Sequence, residues 1–377
     1  MRSRNRSTRK RHRKKPPPKR SASNCGKKWA KAPSPASEAA HCVADSLTPS
    51  PTADHASDRR WLATAARLAG RGRPLSRPNP AVGCVIVRDG VVVARGWTQP
   101  GGRPHAEAMA LAAAGDATRG STIYVTLEPC AHISVRGPAC ADLLVAAHPA
   151  RVVVGTLDPD PRTSGKGMAR LRDAGIAADH VPSGEAEDSL SGYLMRQRAG
   201  RPHVTLKLAM SLDGCIALAD GTSQWITGPA ARAHVHAHRA QADAILVGGG
   251  TWRNDRPRLD VRLPGIEQRS PQRWILTRGP APEGALALPS PQDIAAMAGV
   301  QYLYVEGGAQ TAAAFLAADL VDRIELYRAP IVVGDGLRAV GAVGLTDLAA
   351  AHGRWQFEES CQLGSDSYTA YRRTRSS

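Results

Sequence analysis

The chain has 377 residues, enough for two ordinary domains with separate cores. Its formal charge of +17 suggests a nucleic-acid binder until it is located: residues 1–37 hold fourteen Lys or Arg and no acid, leaving 36 basic against 33 acidic groups in the other 340. The bulk of the chain is nearly neutral and no apolar stretch is long enough to span a bilayer, so neither a nucleic-acid nor a membrane partner is expected.

Residues 1–57 read as a disordered basic leader. The run MRSRNRSTRKRHRKKPPPKR is polar and Pro-interrupted, cannot bury a core, lacks the apolar segment of a secretory signal and carries no aromatic to stack bases. Order is expected from Asp58, with Asp58 or Ser57 capping a helix over 59–69. Val82 to Val87 and Val91 to Ala94, joined by Asp89-Gly90, form a hairpin pattern. Pro104 and His105 open an Ala-rich helix that Gly115 closes. A strand over 122–127, an apolar run from Ala141 to Ala147, a strand over 152–156 and helices over 167–174 and 185–198 complete a three-layer α/β domain over 58–195. The stretch RQRAGRP, 196–202, reads as a hinge. The pattern then restarts, with strands over 203–210, 244–247, 274–277, 301–305 and 323–329 and helices over 230–241 and 309–318. That alternation predicts a second α/β domain over 202–373.

Chemistry concentrates in the first domain. His105-Ala106-Glu107 is followed by Leu127-Glu128-Pro129-Cys130 and then by Cys140. Taken singly, a His at a helix start is surface chemistry and two Cys about ten apart are small buried hydrophobes. In this order they offer one imidazole and two thiolates, each expected at a helix beginning, as three ligands of a catalytic zinc with a fourth position for water. Glu107, two residues from the imidazole, then carries protons without ligating. His-x-Glu with Pro-Cys is the pattern of zinc-dependent nucleobase deaminases. Seven cysteines, an odd number with two of them at a metal site, argue against a disulfide framework and for a reducing, cytoplasmic setting.

The second domain is less legible. It has neither a Gly-x-Gly-x-x-Gly turn after a strand nor a P-loop lysine motif. Two Gly-rich turns follow strands, Gly248-Gly249-Gly250-Thr251 and Glu306-Gly307-Gly308, and they read either as phosphate-approaching backbone or as simple tight turns. Of His234, His236 and His238, only the first and last share a helix face, and with no acidic partner nearby all three read as surface.

The runs RPNPAVGCVIV, GGRPHAEAMAL, YVTLEPCAH and RGPACADLL resemble the deaminase domain of the bifunctional riboflavin-biosynthesis deaminase/reductase family. KLAMSLDGCIA, SQWITGPAAR, GGGTWRNDRPRLDVR and YVEGGAQTAAAFL resemble its reductase domain, so the likeness covers roughly Asp58 to the C-terminus. Nucleic-acid deaminases space their two Cys as C-x2-C, whereas nine residues separate Cys130 from Cys140 here. The resemblance implies a cytidine-deaminase-like three-layer domain followed by a dihydrofolate-reductase-like α/β domain. It implies Zn2+ on His105, Cys130 and Cys140, with Glu107 catalytic, and a small phosphorylated pyrimidine as substrate: a diaminopyrimidinone with a ribosylamino 5′-phosphate. This would lose a ring amine, after which NADPH would reduce its ribosyl group to ribityl. Asn79, His132 and Arg136 would meet the first substrate. NADPH would lie along Ala209, Trp225, Thr251, Asp255, Gly308, Ala309, Gln310 and Thr311. The second substrate would meet Lys207, Ser223, Arg239, Leu259, Arg262 and Glu306, with the forks of Arg239 and Arg262 suited to its phosphate and Asp213 flanking the same pocket. Two departures from the family pattern stand out. The loop CAHISVRGPAC is one residue longer and lacks the usual second His, and Arg256 replaces an acidic residue or Asn. The alternative is a nucleic-acid or nucleoside deaminase with a non-catalytic second domain. Homo-oligomerisation stays open.

Overall fold

The computed structural model describes residues 55–132 and 134–375. The expected leader lies outside the described residues except for its last three, which are helical. Helix α1 (His55–Ala69) leads to the hairpin β1 (Gly83–Arg88) and β2 (Val91–Trp97), then α2 (Ala106–Ala114), β3 (Thr122–Val125), α3 (Cys140–Ala147), β4 (Arg151–Val154), α4 (Lys166–Asp173) and β5 (Ala177–His180). The sheet order is β2-β1-β3-β4-β5, antiparallel across β2, β1 and β3 and parallel from β3 to β5. Asp89 and Gly90 both take positive φ, 51° and 75°, which sets the hairpin twist expected of an Asp-Gly turn. Alternation along β1 divides two cores: Cys84 and Ile86 face Ala110, Leu144 and Leu171, while Val85 and Val87 face Leu62 and Ala65 of α1. These are the three layers.

Asp58 does not cap α1. Three helical residues precede it, and its carboxylate, 2% exposed, turns into the sheet. There it takes both arms of the Arg151 guanidinium at 2.9 Å each and the Tyr124 hydroxyl at 3.0 Å.

The expected single helix over 185–198 is two, α5 (Gly184–Ser189) and α6 (Ser191–Ala199), broken at Leu190. Gly200 closes α6 in the left-handed region, and the chain passes directly into β6 (His203–Met210). The expected hinge is clamped: Arg196 donates to the carbonyls of Val300 and Ala295, each at 2.9 Å, and of Met297, while Arg201 grips Asp322 with both arms.

Beyond it lie β7 (Cys215–Leu218), α7 (Pro229–Arg239), β8 (Ala244–Gly248), α8 (Gly249–Asp255), β9 (Gln272–Leu276), β10 (Leu286–Leu288), β11 (Tyr302–Glu306), α9 (Ala309–Ala317), β12 (Arg323–Arg328), β13 (Gly336–Arg338), β14 (Trp355–Leu363) and β15 (Asp366–Arg373). Eight strands order as β10-β9-β8-β11-β6-β12-β15-β14, parallel as far as β12 and antiparallel in the last two, and β13 pairs with β7 apart from them. Val204, Leu206 and Leu208 pack with Phe315 of α9 on one face; Ile245, Val247 and Tyr304 pack with Val235 of α7 on the other.

If Asp58 acts through the buried pair and not as a cap, Asp58→Ser, although a good capping residue, should destabilise as much as Asp58→Ala. The expected loss is about 2–3 kcal/mol, below the ~3–5 kcal/mol of a fully broken buried pair because Arg151 keeps Asp179. Urea unfolding of the two variants measures it; a Ser variant as stable as the parent would restore the cap.

Candidate active sites

The first candidate site draws three donors from three loops. His105, in extended backbone, immediately precedes α2; Cys140 is the first residue of α3; Cys130 lies in the irregular segment after β3 and not at a helix start as expected. Among the described residues they form a potential metal-holding group, with ligand atoms all within 4.8 Å of one another. His105 Nδ1 stands 3.2 Å from Cys140 Sγ and 3.6 Å from Cys130 Sγ, while its Nε2 faces Asn79 Nδ2 at 3.1 Å. Although Cys130 begins no helix, it still feels one: the Cys140 N–H at the start of α3 points at Cys130 Sγ, 3.3 Å away, and Ala141 N–H donates to the Cys130 carbonyl.

The electrostatics fit a cation. The Cys140 thiol beside it pulls Cys130 down to about 4 against burial, with help from His105, and Cys140 is pushed well up by Cys130 and by burial. One sulfur therefore carries charge and the other keeps its proton, a pair that a dication would hold as two thiolates. Burial opposes charge on His105, but Cys130 and Glu107 outweigh it and its pKa rises. Glu107, 3% exposed on the first turn of α2, is pushed up first by burial. Nitrogen with two sulfurs is a donor set that suits zinc.

Two close approaches hold these loops. Gly96 lies so near α2 that a Cβ would sit 2.1 Å from the Ala106 carbonyl, and at Gly167 it would sit 2.1 Å from that of Pro129. The second belongs to an anchor that sequence reasoning missed. Glu128, 2% exposed, accepts backbone N–H from Asp158 (3.4 Å), Gly165 (3.1 Å), Gly167 (3.1 Å) and Met168 (3.2 Å), wrapping the segment before α4 around the residues that carry Cys130. The signal was the acid inside Leu-Glu-Pro-Cys, at a position apolar enough to be buried.

His132 and Arg136 are not joined to the triad. His132 Nδ1 lies 3.5 Å from Thr163 Oγ1, and exposed Arg136 donates to the Gly101 carbonyl at 2.5 Å, while Arg103 donates back to Pro138. The two loops clasp each other into a wall beside His105.

The second candidate site is a cleft of about 1440 Å³ at the C-terminal ends of β6, β8 and β11. Every residue that the resemblance assigned to the reductase site in the NADPH and substrate sets lines it: Ala209, Trp225, Thr251, Asp255, the turn Gly308 to Thr311, Lys207, Ser223, Arg239, Leu259, Arg262 and Glu306. Asp213 does not; it holds the N–H groups of Val333 and Gly334 outside this cleft. Arg256 lines the cleft from the left-handed residue that ends α8 (φ 41°), a conformation in which Asn is at ease and Arg is not.

Arg239 already has an acidic partner in the cleft. Its Nε and Nη2 engage Glu306 at 2.5 and 2.9 Å and its Nη1 the Asp260 carbonyl, with Lys207 3.7 Å from the same Glu306. Arg262 keeps its guanidinium half-exposed. The three His of α7 are not surface either. His238 Nδ1 meets Glu325 at 2.7 Å and His234 Nδ1 the Tyr327 hydroxyl at 2.9 Å, while buried His236, unassigned by sequence reasoning, lines the cleft and accepts the Arg262 N–H. The acidic partner missing from the local sequence sits on β12.

Residues 55–156 match the cytidine and deoxycytidylate deaminase zinc-binding region, and residues 202–289 and 292–369 match the RibD C-terminal domain. The riboflavin biosynthesis protein RibD of Escherichia coli K12 is 38% identical over 359 residues, covering 82% of this chain and 97% of that protein. The chain belongs to the RibD family. The RibD protein of Aquifex aeolicus is 35% identical over 77% of this chain and 92% of its own length. Among solved structures, Acinetobacter baumannii RibD (form 1) superposes with a TM-score of 0.75 at 35% identity, covering 85% of this chain and all of that one. A Thermotoga maritima diaminohydroxyphosphoribosylaminopyrimidine deaminase/5-amino-6-(5-phosphoribosylamino)uracil reductase does so at 0.75 and 30%, covering 85% and 99%. With both parts of the RibD architecture present, this chain is a bifunctional deaminase and reductase of riboflavin biosynthesis.

Two consequences are measurable. Glu128→Ala leaves several buried N–H groups without an acceptor, so thermal stability should fall by the equivalent of about 2 kcal/mol or more, and metal content should drop as Cys130 loosens. Full metal content in that variant would separate the anchor from the site. In the cleft, burial would raise the Glu306 pKa, but Arg239 and Lys207 prevail and hold it at about 2 against an ordinary 4.5. A depressed carboxylate adds stability that is whole above 4.5 and fades as pH falls towards 2. Glu306→Gln should therefore lower stability near neutrality and flatten its acid decline; parallel urea-midpoint curves for the two proteins would show that the pair contributes nothing.

Proposed function

We propose that residues 58–195 deaminate a diaminopyrimidinone bearing a ribosylamino 5′-phosphate, and that residues 202–373 then reduce its ribosyl group to ribityl with NADPH. The observation that supports the first step best is the convergence of His105, Cys130 and Cys140 within 4.8 Å, with the buried carboxylate of Glu107 two residues from the imidazole. Zinc held by those three would acidify a water in its open position towards neutral pH. Glu107 is the residue that moves protons. Burial raises its pKa, which suits a group that must take a proton from the attacking water and hand it to a ring nitrogen, then take a second from the new hydroxyl and hand it to the departing ammonia. Asn79, hydrogen-bonded to the Gly102 carbonyl and facing His105, is placed to orient the ring, and the wall of Arg103 and Arg136 closes the side where the sugar phosphate would leave.

NADPH, when bound in the cleft, supplies hydride to the sugar carbon. Thr251 near the start of α8 and Gly308 to Thr311 at the start of α9 line the cleft together with Ala209 and Trp225. Lys207, Glu306 and Arg239 form one buried charged cluster that can hold sugar hydroxyls in fixed orientation. Arg262, half-exposed beside Asp260, would take the phosphate together with the N–H groups of Arg239 that Glu306 and Asp260 do not engage.

Purified protein given the diaminopyrimidinone phosphate should release ammonia without NADPH and should then oxidise NADPH when it is added. Glu107→Ala should keep its zinc and lose ammonia release by at least ~100-fold, the scale of a lost general acid/base. Absence of both signals from the parent protein would overturn the proposal, and loss of zinc from Glu107→Ala would make Glu107 a ligand instead of a proton carrier.

A further inference from the structure

The loop between α1 and β1, residues 70–82, ends at the first site, since Asn79 lies on His105 Nε2. Its middle, however, is held by the other sheet. Arg77 Nε lies 3.1 Å from Asp243 Oδ1, an ion pair without hydrogen-bond alignment, on a side chain only 1% exposed. The other oxygen of Asp243 takes the N–H groups of Gln301 and Tyr302 at 2.8 and 2.9 Å. Gln301 Nε2 in turn donates to the Pro78 carbonyl at 2.9 Å, the residue beside Asn79. Further back, the Arg73 guanidinium stacks 3.4 Å from the centre of the Tyr302 ring, and Arg269 donates to the carbonyls of Arg71 and Arg73 at 2.9 and 2.5 Å. Asp243 and Gln301 immediately precede β8 and β11, the two strands whose far ends carry the glycine turns of the cleft.

We propose that the second sheet positions the first site: Arg77, through Asp243 and beside the Gln301–Pro78 hydrogen bond, fixes Asn79 over His105, so that ring deamination depends on a contact outside the deaminase fold. Arg77 touches neither the triad nor the cleft and acts as a positioning residue. The dependence runs one way. Asp243 keeps its two backbone N–H bonds without Arg77, so β8 and β11 stay anchored and the cleft keeps its shape; Asn79 loses the charge that holds its loop. Two short parallel strands of five residues each, about 16 Å long, are stiff enough to act as a fixed base for that loop.

This inference rests on the deaminase reading above, and the experiment separates the two. Arg77→Gln, Arg77→Lys, Asn79→Ala and the double variant Arg77→Gln/Asn79→Ala are made in the full chain. Ammonia release from the diaminopyrimidinone phosphate and NADPH oxidation with the deaminated intermediate are then measured, together with bound zinc and melting temperature. Arg77→Gln is expected to cut kcat/KM for deamination about tenfold with zinc retained and NADPH oxidation within twofold of the parent, and Arg77→Lys to recover most of the loss. In the Asn79→Ala background, Arg77→Gln should cost nothing further, because both act through the same side chain. Unchanged deamination in Arg77→Gln, equal losses in both activities, or losses that multiply in the double variant would each overturn the positioning role. A parent protein that releases no ammonia would overturn the deaminase reading and this inference with it.

Discussion

The carboxylate of Glu128, closed inside the first domain with four backbone N–H groups around it, is the interaction on which the metal-binding geometry depends. Three donors from three loops have no cohesion of their own, and in the absence of a cation their electrostatics favour keeping one sulfur protonated. Something must hold the loops before any ion arrives. A buried carboxylate does this well because backbone N–H groups cannot leave without losing their acceptor, and an unpaired buried donor costs more than a hydrogen bond returns. The sequence places that acid two residues before Cys130, so the anchor and the ligand share one rigid turn.

The same device recurs wherever two segments distant in the chain must meet. Asp58 fixes α1 to the sheet through Arg151 and Tyr124, 93 and 66 residues away. Asp322 takes both arms of Arg201 and the Val204 N–H, tying the start of β6 to the start of β12. Asp243 gathers the strands β8 and β11. For Asp243 and Asp322 burial works to raise the carboxylate pKa, and the arginine and backbone donors around them oppose it, so removing one partner leaves a charge or a donor stranded. Glu107 carries no such arginine pair, and burial raises its pKa.

This distinction governs what was legible in the sequence. Elements whose cause is local read correctly: the Asp89-Gly90 turn, the helix from Ala106 closed by Gly115, the strand β6, and the gathering of His105, Cys130 and Cys140 into a potential metal-holding group. Features whose cause is a partner far along the chain did not. Asp58 has the composition of a cap, and only Arg151 makes it a buried pair. His234 and His238 have no acid within reach on their own helix, yet Glu325 lies 87 residues beyond His238 and, with the Tyr327 and Tyr368 rings, draws that face of α7 inward. The pairing of Arg239 with Glu306 escaped for the same reason, since nothing local announced it. The strand β14, Trp-Gln-Phe-Glu-Glu-Ser-Cys-Gln-Leu, escaped because it lies at the sheet edge with most side chains exposed and so lacks the apolar alternation that marks a strand.

The segment RQRAGRP illustrates how composition misleads about mobility. Glycine beside arginines and a proline has the look of a flexible connector, and nothing in the local sequence opposes it. In the fold the two arginines are what prevent a hinge: Arg196 bonds the carbonyls at the end of the segment leading to β11, and Arg201 closes on Asp322. Gly200 supplies only the left-handed residue that ends α6 and turns the chain into β6. Both ends of the connector are therefore fixed to the second sheet, while the loop before β1 is fixed to that sheet from the other side through Arg73 and Arg77. Two independent attachments remove the freedom that one covalent link would leave. The first domain is therefore tied to the second at two separate points, the connector and the loop before β1.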